Sequence, residues 1–474
     1  MRARWPGLRR RLGLRRRALA TAALALAIVG AALALRLAAV NSWHAPAGDG
    51  LQYYALSQSL IAEHRLAFEP GKPPQYSRLP GYPLFAAAVV HRAPTPLHTH
   101  LWKATMGNAV LDVASALLVF LIVRARRLGL GAATAAFFAV ISCPMLLFLS
   151  CYGLSESLAT FLTTLTLFLA LRDGRRWIIG AGVAFALLQL TRIDGFTVLP
   201  AVALAIWWAA RGWRERLVRA TLFAVAAVVV FSPWPIRNQR LFGAPHFEGT
   251  AWMRQDGTPL PLGMMRWMRT WGTGEWGQDF ALLKVANEGL LKVDRGGIVL
   301  PAMYDSDEER TVVVALFQRY NREGMTPTVD AGFERLAEAR RRQSPLRYYL
   351  KLPLRRLVAE WTPVVEWELP MRSPLLHLPR ARHAYDLFER VLFLLALAGA
   401  AFVARRDARL CVIVFAVVGV RAALHAFAHP FPVERYMVES FPAMMALSGC
   451  GVVLPIAWAR ARWLDRRVPA AERA

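Results

Sequence analysis

Asp49 is the residue whose type and setting suggest chemistry most directly. It lies in Gly48–Tyr54, between two glycines and shortly before a predicted amphipathic helix, Leu56 to His64. A carboxylate there can act as a general base toward an acceptor hydroxyl, or can ligate a divalent metal. Taken alone, Asp49 fits equally a residue that caps a helix or lies in a turn beside glycine.

Three arginines occupy positions suited to an anion. Arg237 follows two prolines that end an apolar run, and Arg435 opens another run. The forked donors of a guanidinium match two phosphate oxygens at once, so both are candidate ligands of a phosphodiester. Arg78 shares a proline-flanked turn with Tyr82 and is placed to meet an anion. An ordinary contact at the lipid interface remains open for Arg78 and Arg237, and an ion pair with Glu434 remains open for Arg435.

Other ionisable groups at the ends of apolar runs are expected to pair. Glu156 would be costly if buried alone, so Arg192 or a ligand cation is expected beside it. Arg192 can also pair with Asp194, two residues away, and so hold a short hairpin together. Tyr436 follows Arg435 and is typical of an aromatic belt at a membrane interface.

The composition indicates the elements that must position these groups. The chain has 474 residues, 56% of them hydrophobic, with a formal net charge of +26. Such a hydrophobic chain favours a membrane protein. Its positive charge lies largely in short arginine clusters beside apolar runs, and no zinc-finger or RNA-binding motif accompanies it, so we expect no nucleic-acid partner. The four cysteines lack metal-ligand spacing, and we expect no essential disulfide among them.

Apolar runs predict an all-α polytopic fold with about ten transmembrane helices. Arginine clusters occur in alternate loops between these runs, which predicts that both chain termini are cytoplasmic. The first run is expected to be a retained anchor, with a cleaved signal peptide as the alternative. The ten runs lie near residues 18–40, 104–123, 131–150, 154–171, 177–191, 195–209, 217–235, 388–404, 409–428 and 438–458.

This topology predicts five regions. A basic cytoplasmic N-terminus precedes a transmembrane module with its first outer loop at 41–103, and an extracytoplasmic segment separates that module from the last helices. The tryptophan, arginine and proline content of that segment suggests mainly helical, partly interfacial structure, with an independent soluble domain as the alternative. The regions are 1–17, 18–235, 236–387, 388–458 and the basic tail 459–474.

The same topology places the candidate residues on one side of the membrane. Ionisable groups at this depth are expensive unless they line a wet cavity and pair with each other or with a ligand. We therefore predict a polar cavity that opens outward. Its members are Asp49, Arg78, Tyr82, Glu156, Arg192, Arg237, Arg435 and Tyr436.

The order of these motifs resembles the GT-C superfamily of glycosyltransferases. Within it, the pattern is similar to the branch that contains protein O-mannosyltransferases and lipid A aminoarabinose transferases. The resemblance covers nearly the whole chain except 245–345. Its motifs are the first-loop Asp49, Arg-x-Pro-Gly-Tyr-Pro-Leu-Phe at 78–85, Leu-Ser-Glu at 154–156, Leu-Thr-Arg at 190–192, Pro-Trp-x-Ile-Arg-Asn at 233–238 and Glu-Arg-Tyr at 434–436.

The resemblance implies an enzyme that moves a sugar from a polyprenyl-phosphate donor to an envelope acceptor with inversion. Asp49 matches the family's first-loop acidic residue and is the candidate catalytic group, with Arg237 and Arg435 suited to the donor phosphate. Arg78, Tyr82, Glu156, Arg192 and Tyr436 would support the cavity. The second acidic neighbour that is frequent in the family is absent, since glycines flank Asp49, which leaves open whether Asp49 and Glu156 hold a divalent metal.

Two other functional classes remain open from sequence. A lipid or solute transporter predicts polar groups near the midplane and access from both faces, and no such pattern is evident. A non-catalytic envelope-assembly protein would keep the fold without the chemistry, and the presence of both Asp49 and Arg237 argues against it. The composition and short loops suggest a bacterial inner membrane. The sugar, the acceptor, the polyprenyl length and the oligomeric state are not specified by the sequence.

Overall fold

The computed structural model describes residues 26–41, 48–247, 262–273, 301–361, 379–429 and 434–465. These residues form helices and connecting turns, and none of them forms a strand, which confirms the predicted all-α class. The basic N-terminus 1–17 and most of the basic tail lie outside the described residues.

The helices follow one another with short connections in the first half of the chain. They are α1 (Leu26–Asn41), α2 (Gly48–Glu63), α3 (Gly81–Val90), α4 (Leu97–Ala125), α5 (Leu130–Ser142), α6 (Pro144–Ser150), α7 (Glu156–Ala170), α8 (Arg175–Gln189), α9 (Leu199–Ala209), α10 (Trp213–Phe231) and α11 (Pro233–Phe242). The second half contains α12 (Leu262–Met268), α13 (Asp307–Glu323), α14 (Pro327–Gln343), α15 (Leu352–Ala359), α16 (Pro379–Ala428) and α17 (Phe441–Asp465). Two 3-10 turns bear on the site, Ile193–Val198 and Glu434–Ser440.

Several of these helices make the chain a multi-pass membrane protein. Within the described residues, four stretches are long and apolar enough to cross a bilayer, and the bent pair α5 and α6 gives a fifth. Shorter apolar helices coincide with further predicted crossings, among them α1, α7 and the Ile193–Ala209 segment. A helix is found at each apolar run of the sequence, while the number of about ten crossings stays a prediction.

The long helix α16 contains two of the predicted crossings. Its backbone leaves helical geometry at Asp407, between the predicted runs 388–404 and 409–428. Arg126, just after α4, donates to both oxygens of Asp407, with 2.8 Å between Nη2 and Oδ1. The pair joins two basic turns that the sequence places on the same side of the membrane.

A small helical unit lies within the predicted extracytoplasmic segment. Helices α12, α13 and α14 surround a cluster of Trp267, Phe317 and Phe333, whose side chains are completely buried. The buried guanidinium of Arg356 in α15 donates to the carbonyl of Gly272 at 2.9 Å and to that of Ala426 at 3.3 Å. The described part of the segment is therefore helical, as predicted, and it is bound to the end of α16.

Close contact between α16 and α17 requires glycine at position 399. A Cβ atom there would lie 1.9 Å from the carbonyl oxygen of Leu447, which is backbone and cannot rotate away. We expect Gly399→Ala to lower the free energy of unfolding by about 1–3 kcal/mol, the usual cost of overpacking. Thermal unfolding in detergent measures this loss. Gly419→Ala in the same helix is the control, because its Cβ would meet nothing within 4 Å, and equal losses in both variants would refute the packing argument.

Candidate active site

Asp49 lies inside the first turn of α2, so the predicted helix begins earlier than Leu56 and includes it. Its Oδ1 accepts from Arg78 Nη2 at 2.6 Å, and its Oδ2 is 3.5 Å from Arg435 Nη2. Burial raises the pKa of Asp49, but the guanidinium groups of Arg78 and Arg435 lower it by more, so the pKa lies below the usual 3.8. Asp49 is therefore an ionised carboxylate between two cations.

Arg78 is held in place by its own turn and by α2. Its backbone N–H donates to Gln75 Oε1 at 2.9 Å, and its Nε donates to Gln52 Oε1 at 2.6 Å. The turn itself is fixed by Gly81, whose N–H donates to the Leu190 carbonyl at 2.7 Å. A Cβ on Gly81 would lie 2.4 Å from Thr191 Oγ1, so this close approach needs glycine.

Glu156 connects Arg435, one of the two arginines at Asp49, to charged residues in the interior. Its Oε1 accepts from Arg435 Nε and, at 3.1 Å, from Arg192 Nη1. The predicted partner of Glu156 is thus Arg192, and the predicted internal pair is also present, with Arg192 Nε 3.1 Å from Asp194 Oδ1. Arg192 forms both predicted pairs, with Glu156 and with Asp194, because one guanidinium can contact several carboxylates.

Arg421 and Glu439 extend these contacts deeper and were not singled out from the sequence. Arg421 Nη2 donates to Asp194 Oδ2 at 2.6 Å and also meets Glu439. Glu439 Oε1 lies 2.8 Å from Arg192 Nε. Both residues interrupt predicted apolar runs, and a charged residue inside such a run was the signal that sequence reasoning passed over.

Together these side chains form one continuous ion-pair network. Four arginines balance four carboxylates: Arg78, Arg192, Arg421 and Arg435 with Asp49, Glu156, Asp194 and Glu439. The inner members are more enclosed, with 1% of the Glu156 side chain and 15% of the Arg192 side chain exposed, whereas the Asp49 side chain is 36% exposed. The network is therefore accessible at its Asp49 end.

The two predicted tyrosines have mainly structural surroundings. Tyr82 is buried, its hydroxyl lies 3.2 Å from Asn108 Nδ2, and its ring meets Tyr53 edge-on at 4.9 Å. The carbonyl of Tyr436 accepts from Arg421 Nε, and its ring stacks on His425 at 5.2 Å. Tyr82 packs beneath α2, and Tyr436 anchors the turn that carries Arg435.

Arg237 does not contact Asp49. Its Nη1 donates to the Gln75 carbonyl at 3.2 Å and to Asn238 Oδ1 at 2.8 Å. Gln75 therefore links Arg237 to the turn of Arg78. Arg237 also borders a cavity of about 510 Å³ whose other walls are largely apolar, among them Pro80, Leu84, Leu190, Val230, Trp234 and Leu241.

The carboxylates of this site do not form a metal-binding set. Among the described residues, no group of three His, Cys, Asp or Glu side chains is arranged to hold a metal ion. Asp49 and Glu156, the two candidate ligands, are instead bridged by the guanidinium of Arg435. The residues present thus fit charge pairing with arginine, and we assign no step to a metal.

Glu360 is a buried carboxyl near the inner end of the network. It caps the C-terminus of α15, is 0% exposed, and neither oxygen has a hydrogen-bond partner among the described residues. Burial raises the pKa of Glu360 to about 8, with Arg421 opposing the shift. At neutral pH this carboxyl is therefore mostly protonated.

Glu360→Gln is expected to remove a pH-dependent loss of stability. The folded protein binds this proton more tightly than the unfolded chain, where the pKa is near 4.5, so the folded state is progressively destabilised as pH rises toward about 8. Thermal unfolding at about pH 6 and about pH 9 should show a larger loss for the wild type than for Glu360→Gln. The exposed Glu323→Gln serves as control, and an unchanged pH dependence in Glu360→Gln would contradict the assignment.

No protein-family model matches this chain, and no curated protein matches it. Among solved structures, ArnT from Cupriavidus metallidurans bound to undecaprenyl phosphate is similar at 14% identity and a TM-score of 0.40, over 94% of this chain and 81% of that one. The apo state of the same ArnT is similar at 15% identity and a TM-score of 0.39, over 92% of this chain and 78% of that one. The archaeal oligosaccharyltransferase AglB from Archaeoglobus fulgidus, in complex with an inhibitory peptide and a dolichol-phosphate, is similar at 15% identity and a TM-score of 0.46. The match covers 93% of this chain and 52% of AglB.

Proposed function

We propose that this protein is an integral-membrane glycosyltransferase that moves a sugar from a polyprenyl-phosphate donor to an envelope acceptor. The observation that carries the proposal is the partly exposed carboxylate of Asp49, held by Arg78 and Arg435 at the accessible end of an otherwise buried network. The order of motifs that resembles the GT-C superfamily supports the same reaction. The acceptor is a lipid, a glycan or a protein.

The reaction is a substitution at the anomeric carbon of the donor sugar. The acceptor hydroxyl oxygen attacks that carbon, the bond from carbon to phosphate oxygen breaks, and its electron pair leaves with the phosphate. Asp49 takes the hydroxyl proton, and the arginines stabilise the charge that grows on the departing phosphate. Attack from the face opposite the phosphate gives inversion.

The cavity beside Arg237 is suited to the lipid part of the donor. Its apolar walls match an isoprenoid chain, while Arg237 at its border can meet a phosphate oxygen. Gln75 joins this arginine to the turn of Arg78. The chain of the donor would thus stay in the apolar cavity, and only its head would reach Asp49.

The alternation of arginine clusters supports cytoplasmic termini and a site on the outer face, and the composition and short loops support a bacterial inner membrane. One structural feature bears on the transporter alternative, since Asp112 lies near the middle of α4 and pairs with Arg36. Both side chains are buried to 1% exposure or less. A pair so enclosed does not line an open path, and it therefore adds no support for transport.

The test is turnover by the purified protein in detergent. A radiolabelled polyprenyl-phosphate sugar is supplied with extracted envelope lipids, glycans and proteins, and transfer of label or hydrolysis of the donor is measured. We expect label to leave the polyprenyl phosphate only when native protein is present, with heat-unfolded protein as control. Absence of turnover with hexosyl and pentosyl donors alike would count against the proposal.

A further inference from the structure

Arg78 and Arg435 meet Asp49 in matching ways. In each arginine, Nε is bound by a side-chain oxygen, from Gln52 for Arg78 and from Glu156 for Arg435. In each, the terminal Nη2 is directed at a different oxygen of Asp49, at 2.6 Å and 3.5 Å respectively. Two guanidinium groups that are anchored at Nε therefore hold one anion between their terminal nitrogens.

This is also the arrangement that a phosphate group needs. A phosphate ester presents several equivalent oxygens, so two can replace the two oxygens of Asp49 while Gln52 and Glu156 keep both arginines in position. The exposed fractions agree with ligand access, since 23% of the Arg78 side chain and 21% of the Arg435 side chain are exposed. The arginines deeper in the network are enclosed among carboxylates.

We propose that the donor phosphate binds between Arg78 and Arg435, in the place that the Asp49 carboxylate occupies in the donor-free protein. Arrival of the phosphate and release of Asp49 are then a single exchange. This inference rests on the proposed function, and it assigns the phosphate to Arg78 as well as Arg435. It also makes Gln52 a positioning residue for Arg78.

The exchange has a chemical consequence for Asp49. While both arginines bind it, the carboxylate is a weak base, because the pKa of Asp49 is lowered by their charge. A bound phosphate neutralises the charge of the two arginines. Asp49 then stays partly buried without that stabilising charge, so the carboxylate of Asp49 binds a proton more tightly. The base thus becomes competent only after the donor is bound. The groups that face it are Arg78 from the loop before α3, Arg435 from the 3-10 turn, Arg192 beyond Glu156, and Tyr53 from the next turn of α2.

The test compares binding of polyprenyl phosphate without sugar to wild type and to variants, by calorimetry in detergent. Asp49→Asn removes the competing anion, so this variant should bind polyprenyl phosphate about tenfold more tightly although it transfers sugar more slowly. Arg78→Gln should bind more weakly than wild type. Glu63→Gln removes one negative charge from the same helix without touching either arginine, and its affinity should be unchanged.

The possible outcomes separate this inference from the proposed function. If wild type binds polyprenyl phosphate and Asp49→Asn binds it equally or more weakly, the exchange is refuted while a polyprenyl-phosphate enzyme stands. Tighter binding by Glu63→Gln as well would attribute the effect to general charge and would also refute the exchange. If neither wild type nor any variant binds polyprenyl phosphate, the donor itself is wrong and both proposals fail.

Discussion

Asp49→Asn is expected to lower sugar transfer by about 10²–10⁴-fold, the usual contribution of a positioned general base. Asparagine has nearly the same shape as aspartate but cannot take a proton from the acceptor hydroxyl at any working pH. The loss should appear in kcat and not as a higher KM for the donor. Donor binding should not weaken, because the amide no longer competes with the donor phosphate for Arg78 and Arg435. The measurement is steady-state turnover of a radiolabelled polyprenyl-phosphate sugar, with kcat and KM for the donor determined separately.

Asp49→Glu is the matched variant for this experiment. It keeps a carboxylate, and with it both the negative charge and the proton acceptor, in the first turn of α2, so it should retain part of the activity. Before rates are compared, both variants should match the wild type in size-exclusion elution profile and in thermal unfolding, which shows that they are folded. Equal turnover in wild type and Asp49→Asn would remove Asp49 as the base and leave it as a partner of the arginines.

Much of the candidate site was predictable from sequence because of where its polar residues stand. Glu156, Arg192 and Arg435 lie at ends of apolar runs and Asp49 and Arg78 lie in the first outer loop, and burial at the membrane boundary forces such groups to find partners of opposite charge. Hydropathy gives the depth of each residue. Similar depth and opposite charge are sufficient to expect pairing, and the structure brings these five side chains together.

The remaining features depend on which way each helix faces, and a hydropathy profile does not contain that information. Arg237 shares the depth of the others, yet its helix places it by an apolar cavity and away from Asp49. Arg421 and Glu439 lie inside apolar runs, where only packing against the turn at Asp194 shows that they are paired. The start of α2 was also mispredicted, since the glycines around Asp49 suggested a turn where the chain is already helical.

Arg36→Leu is expected to destabilise the protein by about 3–5 kcal/mol, the cost of leaving a buried charge without its partner. Arg36 Nη1 lies 3.5 Å from Asp112 Oδ2, and Nη2 donates to the Val140 carbonyl at 3.1 Å. These contacts join α1 to α4 and α5 in the interior. Thermal unfolding in detergent and the yield of folded protein from membranes would both report the loss.

The double variant Arg36→Leu with Asp112→Leu separates charge compensation from packing. If the arginine serves chiefly to neutralise Asp112, removing both charges should recover most of the stability that Arg36→Leu loses, because apolar side chains of similar size replace buried ion pairs at little cost. A double variant as unstable as the single one would show instead that the bond to Val140 and the shape of the arginine hold α1 in place. Recovery of stability with unchanged sugar transfer would further separate this interior pair from the ion-pair network at Asp49, because the two groups of charges would then act independently.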